Sequence, residues 1–273
     1  MSSKKRKKIN KIKVIIMAVL AVLLVLIALF AGAIAPNDPY QTSALAIRKA
    51  PSAEFLFGTD NLGRCVFSRV LYGARTTIAA TFILVAISFA IGSVIGIFCG
   101  YYGGILDEIM MRITDIVLAF PQMVVAIAVA GILGGGLVSA MIALGITMWT
   151  GFARLARSHS LALKNVPYVQ AARLAGKSGP VIMIAHIFPN IIGPILTNAL
   201  TQIGTTMIGI SGLSFLGLGV VPPTAEWGSM INESRAYIQI APWAVLYPAL
   251  ATIVTIIVFN YLGDCVMEYR NED

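Results

Sequence analysis

From residue 116 to residue 153 the chain carries no charged side chain, and such a run leaves few folds open. A single helix over it would measure roughly 57 Å at about 1.5 Å per residue, close to twice a hydrocarbon core of about 30 Å. Gly134, Gly135 and Gly136 divide the run, so it reads as two membrane-crossing helices joined by a tight turn. In lipid every backbone polar group must be satisfied within the fold, which makes helices the natural spanning element for such segments.

Other uncharged runs repeat the pattern. Residues 14–35 form a first span, and residues 76–100 a second, in which Gly92, Gly96 and Gly100 recur at four-residue spacing and let another helix approach closely. In the fifth, Pro189, Pro194, Pro222 and Pro223 are expected to confine the helix to about residues 191–210. The sixth covers about residues 243–263. A chain that is 58% hydrophobic and only 12% charged fits this reading. The expected fold is an all-α membrane protein with six transmembrane helices. Its parts are a basic tail (1–13), the first transmembrane helix (14–35), a loop on the outer side (36–75), a core (76–263) and a second tail (264–273).

The net charge of +8 does not point to nucleic acid. Lys4, Lys5, Arg6, Lys7, Lys8, Lys11 and Lys13 crowd the start of the chain, where a basic run before an apolar span is retained on the cytoplasmic side. A cleaved signal peptide is the competing reading, but the uncharged run that follows exceeds an h-region of about 7 to 15 residues. With the amino tail inside, Arg112, Arg154, Arg157, Lys164, Arg173, Lys177 and Arg270 also fall inside; only Arg48, Lys49, Arg64, Arg69, Arg75 and Arg235 fall outside. Both termini are thus expected in the cytoplasm. Cys65, Cys99 and Cys265 lie far apart and suggest neither a disulfide framework nor a zinc site.

Between the spans, Glu108 with Arg112 and Arg112 with Asp115 have the spacing of helix-supporting ion pairs. The inner segment near residues 165–179 is more informative. Ala171, Ala172, Arg173, Leu174 and Ala175 favour a helix that Pro167 can open and Gly176 can close. Its small side chains leave a shallow surface suited to a groove on another protein, and a long charged side chain at Ala172 is expected to block that fit. An amphipathic helix lying on the membrane is the plainer alternative.

Three motifs lead nowhere. Residues 171–178 approach a phosphate-binding loop, but Ala171 replaces its first glycine and no strand precedes it. Gly209, Ile210, Ser211 and Gly212 resemble an intramembrane serine-protease motif, yet His159 and His186 fall toward the opposite side from Ser211. Neither histidine has a ligand partner at a recognisable spacing, and the methionines read as apolar filler.

The inner segment resembles the EAA loop of ABC-importer permeases. Gln170-Ala171-Ala172, Gly176 and then His186-Ile187-Phe188-Pro189 keep that loop's spacing. Further stretches, FGTDNLGRCVFSRVLYGART (57–76), DIVLAFP (115–121), WTGFARLARS (149–158), LSFLGLGVVPPTAEWG (213–228) and FNYLGD (259–264), are similar to the C-type permease of the dipeptide/oligopeptide/nickel importers. The resemblance implies a type I importer permease in a prokaryotic cell membrane, with no catalysis and no cofactor of its own. It also implies a coupling helix in which Gln170, Ala171, Ala172, Arg173 and Gly176 meet a cytoplasmic ATPase and Pro189 ends the loop. Gln170 in place of Glu and Phe188 in place of Leu depart from the pattern.

The implied partners are a homologous second permease, two ATPase subunits that use ATP and Mg, a solute-binding protein outside, and membrane lipid. Glu226, Trp227, Glu233 and Arg235 would lie near the docked binding protein, with Trp227 equally readable as an interfacial anchor, and residues 223–238 look more like nickel-type than peptide-type members. The resemblance implies a cargo of peptides or nickel complexes, with other small solutes also open. An ion-coupled secondary transporter is the alternative, but it would ordinarily place ionisable groups at mid-membrane, where these spans have none.

Overall fold

A computed structural model describes residues 3–270, with side chains from residue 9 onward. Residues 1–2 and 271–273 of the two expected tails, and the side chains of the first basic cluster, lie outside the described residues. The described chain is helical, with one isolated bridge between Thr59 and Cys65.

Helix α1 (Ser3–Leu29) begins well before the expected start of the first span, because nothing between the basic residues and the apolar run breaks a helix. A short turn, α2 (Ala31–Ile34), follows. The next long helix, α3 (Val66–Tyr102), ends at Gly103 and Gly104, both at positive φ (67° and 68°). It packs along α6 (Leu137–Leu163), and its glycines make that approach possible. A Cβ at Gly92 would stand 2.4 Å from the Trp149 carbonyl oxygen, and one at Gly96 2.2 Å from that of Ala153. The expected close helix contact is thus formed.

Between them, α4 (Gly104–Leu118) and α5 (Gln122–Ile132) meet at 87° across residues 119–121, so the third crossing is a bent pair where one straight helix was expected. Pro121 has no N–H to continue α4. Two ion pairs hold α4 to α6: Asp107 with Arg157, whose Nη2 lies 2.6 Å from Oδ2, and Asp115 with Arg154. Glu108 and Arg112 pair as expected (3.1 Å). The expected Arg112–Asp115 contact is replaced by the pair that Asp115 makes with α6.

After α7 (Pro167–Leu174), α8 (Gly179–Ile182) runs through a π turn (Met183–Ile187) into α9 (Phe188–Phe215). The fifth crossing therefore spans 179–215 and is not confined by its prolines. In the π turn the Phe188 N–H bonds the Met183 carbonyl, and this wider turn carries the chain past Pro189, which lacks a donor. Then come α10 (Trp227–Ser234) and α11 (Trp243–Arg270). The latter takes in most of the expected carboxyl tail. Five helices and the bent α4–α5 pair are long and apolar enough to cross a membrane.

Candidate functional site

Pro167 opens α7 at its first turn, where a missing N–H costs nothing. At its other end, Lys177 N–H bonds the Ala172 carbonyl (3.2 Å) and Gly176 N–H that of Arg173 (3.0 Å), with Gly176 at φ 77°. This glycine-closed cap needs the left-handed conformation. Val169 and Ala172 bury themselves in the bundle core, while Gln170, Ala171 and Arg173 are exposed and Leu174 is 90% exposed. The Arg173 guanidinium lies over the Tyr101 ring, 5.4 Å from its centroid. The sequence placed Ala171 and Ala172 together on a docking surface. In the structure Ala172 faces its own bundle, and a charged side chain there would disturb the seat of α7 first. Pro189 lies beyond the connector, in the first turn of α9.

A groove between α6 and α9 holds two cavities. The first, 220 Å³, is lined mainly by apolar side chains, among them Leu118, Met123, Leu144, Met148 and Ile208, together with Gln122, Gln202 and four threonines, and by no charged group. The second, 390 Å³, lies nearer α7 and includes His159, Thr197, Asn198, Thr201 and Arg270. Leu144, Met148, Gly151, Leu155 and His159 step along one face of α6 at helical spacing, and Asn198, Thr201, Thr205 and Ile208 do so along α9. The two cavities are therefore successive stations of one groove.

At the opposite end, α10 is locked inward. The Glu226 carboxylate caps it, accepting from the backbone of Gly228 (3.0 Å) and Ser229 (2.8 Å) and from the hydroxyls of Thr77 and Ser211 (3.3 Å each). One buried carboxylate thus joins α3, α9 and α10, and Ser211 serves helix packing. Trp227 donates from its indole to the Val70 carbonyl (2.9 Å), packed over Gly73. Glu233 pairs with Arg64, which also holds Asp60 (2.6 Å), and Arg69 stands beside both acids.

These contacts correct the expected docking set: Glu226 and Trp227 are buried and Glu233 is nearly so. Their polarity serves the fold, because Glu226 caps α10 and Glu233 pairs with Arg64 within the chain. Arg235 is exposed, its guanidinium 5.3 Å from the Phe215 ring centroid. Among the described residues no cluster of His, Cys, Asp and Glu has the composition of a metal site.

Apolar crossings flank a groove that is uncharged in its upper cavity and carries Arg270 in its lower one, with a short exposed helix on the connector at one end, an arrangement that suits a membrane permease. The chain belongs to the family described as binding-protein-dependent transport system inner membrane component, whose model matches residues 92–271. It is a multi-pass bacterial inner-membrane protein, a permease subunit of an ABC importer; ATP is hydrolysed by partner ATPase subunits, and the permease binds no cofactor.

Among its relatives is the glutathione transport system permease protein GsiD of Escherichia coli O157:H7, 44% identical over 218 residues, covering 80% of this chain and 72% of that protein. The protein of the same description from Pectobacterium atrosepticum is 41% identical over the same shares. The fold is also that of the MetNI methionine ABC transporter in inward-facing conformations, with a TM-score of 0.58 and 18% identity over 75% of this chain and 96% of that one.

Proposed function

We propose that α7 is the helix through which an ATPase subunit drives this permease, and that the α6–α9 groove is its half of the translocation pathway. The observation that carries this reading is the two-faced burial of α7: Val169 and Ala172 tie it to the core, while Gln170, Ala171 and Leu174 lie open on its other face. A protruding Leu174 is costly to leave in water and suits a cleft on a protein partner.

In this reading α7 and both termini face the cytoplasm, and Gln170, Ala171, Arg173 and Gly176 shape the contact. A homologous second permease closes the groove, two ATPase subunits sit below, and a solute-binding protein meets the opposite end near Arg235. The cargo is a peptide-sized solute. This choice over a nickel complex draws on the relatives named for glutathione transport and on a largely apolar cavity that carries two glutamines and no charged group.

The test is crosslinking. Leu174→Cys in the assembled complex, treated with a short bifunctional thiol reagent, is expected to capture a cysteine-bearing ATPase subunit, while Leu45→Cys, exposed in the loop before α3, captures none. Failure at Leu174 in a complex that still hydrolyses ATP would remove the coupling role of α7.

A further inference from the structure

We propose that the end of the groove nearest α7 is an anion station, where Arg270 and His159 receive a carboxylate of the passing solute; this rests on the groove being the pathway. Arg270 ends α11 and turns its guanidinium onto α9. A Cβ at Gly193 would stand 2.9 Å from its Cζ, so the absence of a side chain there lets the guanidinium lie against the helix backbone. Its Nη1 donates to Thr197 Oγ1 at 3.4 Å, and that hydroxyl spends its own proton on the Gly193 carbonyl (3.0 Å).

Among the described residues no carboxylate pairs with Arg270, whereas both arginines of α6 have one: Arg154 has Asp115 and Arg157 has Asp107. Among the described residues the Arg270 fork is engaged through Nη1 by Thr197, and a planar carboxylate matches two donors of such a fork at once. The imidazole of His159 and the amide of Asn198 line the same 390 Å³ cavity, and no acidic side chain does.

Electrostatics gives the two stations different roles. The upper cavity is uncharged and largely apolar, with the amides of Gln122 and Gln202 among its lining, and gives a polar solute few strong partners to be trapped by. A positive lower station then draws an anionic group toward the α7 end and opposes a hydrated metal cation by like charge. The inferred cargo bears a free carboxylate. A lipid phosphate has the same chemistry, so the experiment separates the two sources.

In the assembled transporter, held in nanodiscs of phosphatidylcholine, Asn198→Cys is modified with an anionic and with a cationic methanethiosulfonate. The native cysteines are all buried, which keeps the background low. The anionic reagent is expected to react faster relative to the cationic one, and Arg270→Gln to reduce that ratio by about tenfold while Arg270→Lys retains it. Trialanine is expected to slow the modification and trialanine amide to leave it unchanged.

Equal ratios in wild type and Arg270→Gln, or equal protection by the amide, would overturn the anion station. Loss of the preference when half the lipid is phosphatidylglycerol would assign the site to a headgroup and overturn the solute role. If neither Asn198→Cys nor Gln202→Cys reacts with any reagent, the groove is not wetted, and it is the pathway reading that fails.

Discussion

Arg64 donates to Glu233, 169 residues further along the chain, and this ion pair fastens the loop before α3 to α10. Arg64 is almost fully buried, as are Arg69 and Asp60 beside it. Two arginines and two acids give a cluster without net charge, in which every member depends on the others. Removing one acid strands a cation out of water, and breaking such a pair costs about 3 to 5 kcal/mol. Glu233→Ala is therefore expected to lower the thermal stability of the purified permease markedly and Arg235→Ala hardly at all. Equal melting behaviour of the two variants would show that the cluster is not structural.

The α3–α6 seam yields a contrast between glycines of one chain. At Gly96 a methyl group would press on the Ala153 carbonyl, which is backbone and cannot turn aside, whereas at Gly131 it would meet nothing within 4 Å. Gly96→Ala should separate the helices and cost about 1 to 3 kcal/mol. Gly131→Ala should be neutral or slightly stabilising, since alanine favours a helix over glycine. Melting curves in detergent distinguish the two.

Much of this was legible because short-range patterns report it directly. The four-residue spacing of Gly92, Gly96 and Gly100 announces a flat helix face, and Pro167 with Gly176 marks both ends of α7. What escaped was set by partners distant in sequence. Asp107 and Arg157 meet across 50 residues, and nothing local to either reveals the other. The α4–α5 bend at Pro121 was hidden in a charge-free run whose glycines, Gly134, Gly135 and Gly136, mark only the expected turn between α5 and α6. The π turn before Pro189 was hidden too, because a proline read alone predicts an end and not a wider turn. In the outward segment, the resemblance alone sets Glu226 and Trp227 near a docked binding protein; the cap and the indole bond are visible only once α3 and α9 are in place.

Gly176 closes α7 at φ 77°, with nothing near the position a Cβ would take. Its replacement therefore strains the backbone alone, by about 1 to 2 kcal/mol for alanine and less for asparagine. Because α7 is short, this strain acts on the connector and not on the spans. Gly176→Ala is expected to insert normally and to lower ATP-dependent uptake in vesicles severalfold, with Gly176→Asn retaining more. Identical uptake by both variants and wild type would mean that the shape of this cap does not matter to transport.

Adjacent alanines on α7 give the sharpest test of its two faces. Ala171 is exposed and Ala172 is buried against the core around Val169. A long cation at Ala171 leaves the permease intact and obstructs whatever approaches α7. The same cation at Ala172 must either take its charge into an apolar seat or lift the helix out of it. Ala171→Arg is thus expected to retain the melting temperature of the isolated permease while abolishing copurification of the ATPase subunits and ATP-driven uptake. Ala172→Arg should lower the melting temperature as well. If Ala171→Arg copurifies with its ATPase partners and transports normally, the exposed face of α7 does not enter their cleft; if Ala172→Arg melts like wild type, the inward face has been assigned to the wrong residue.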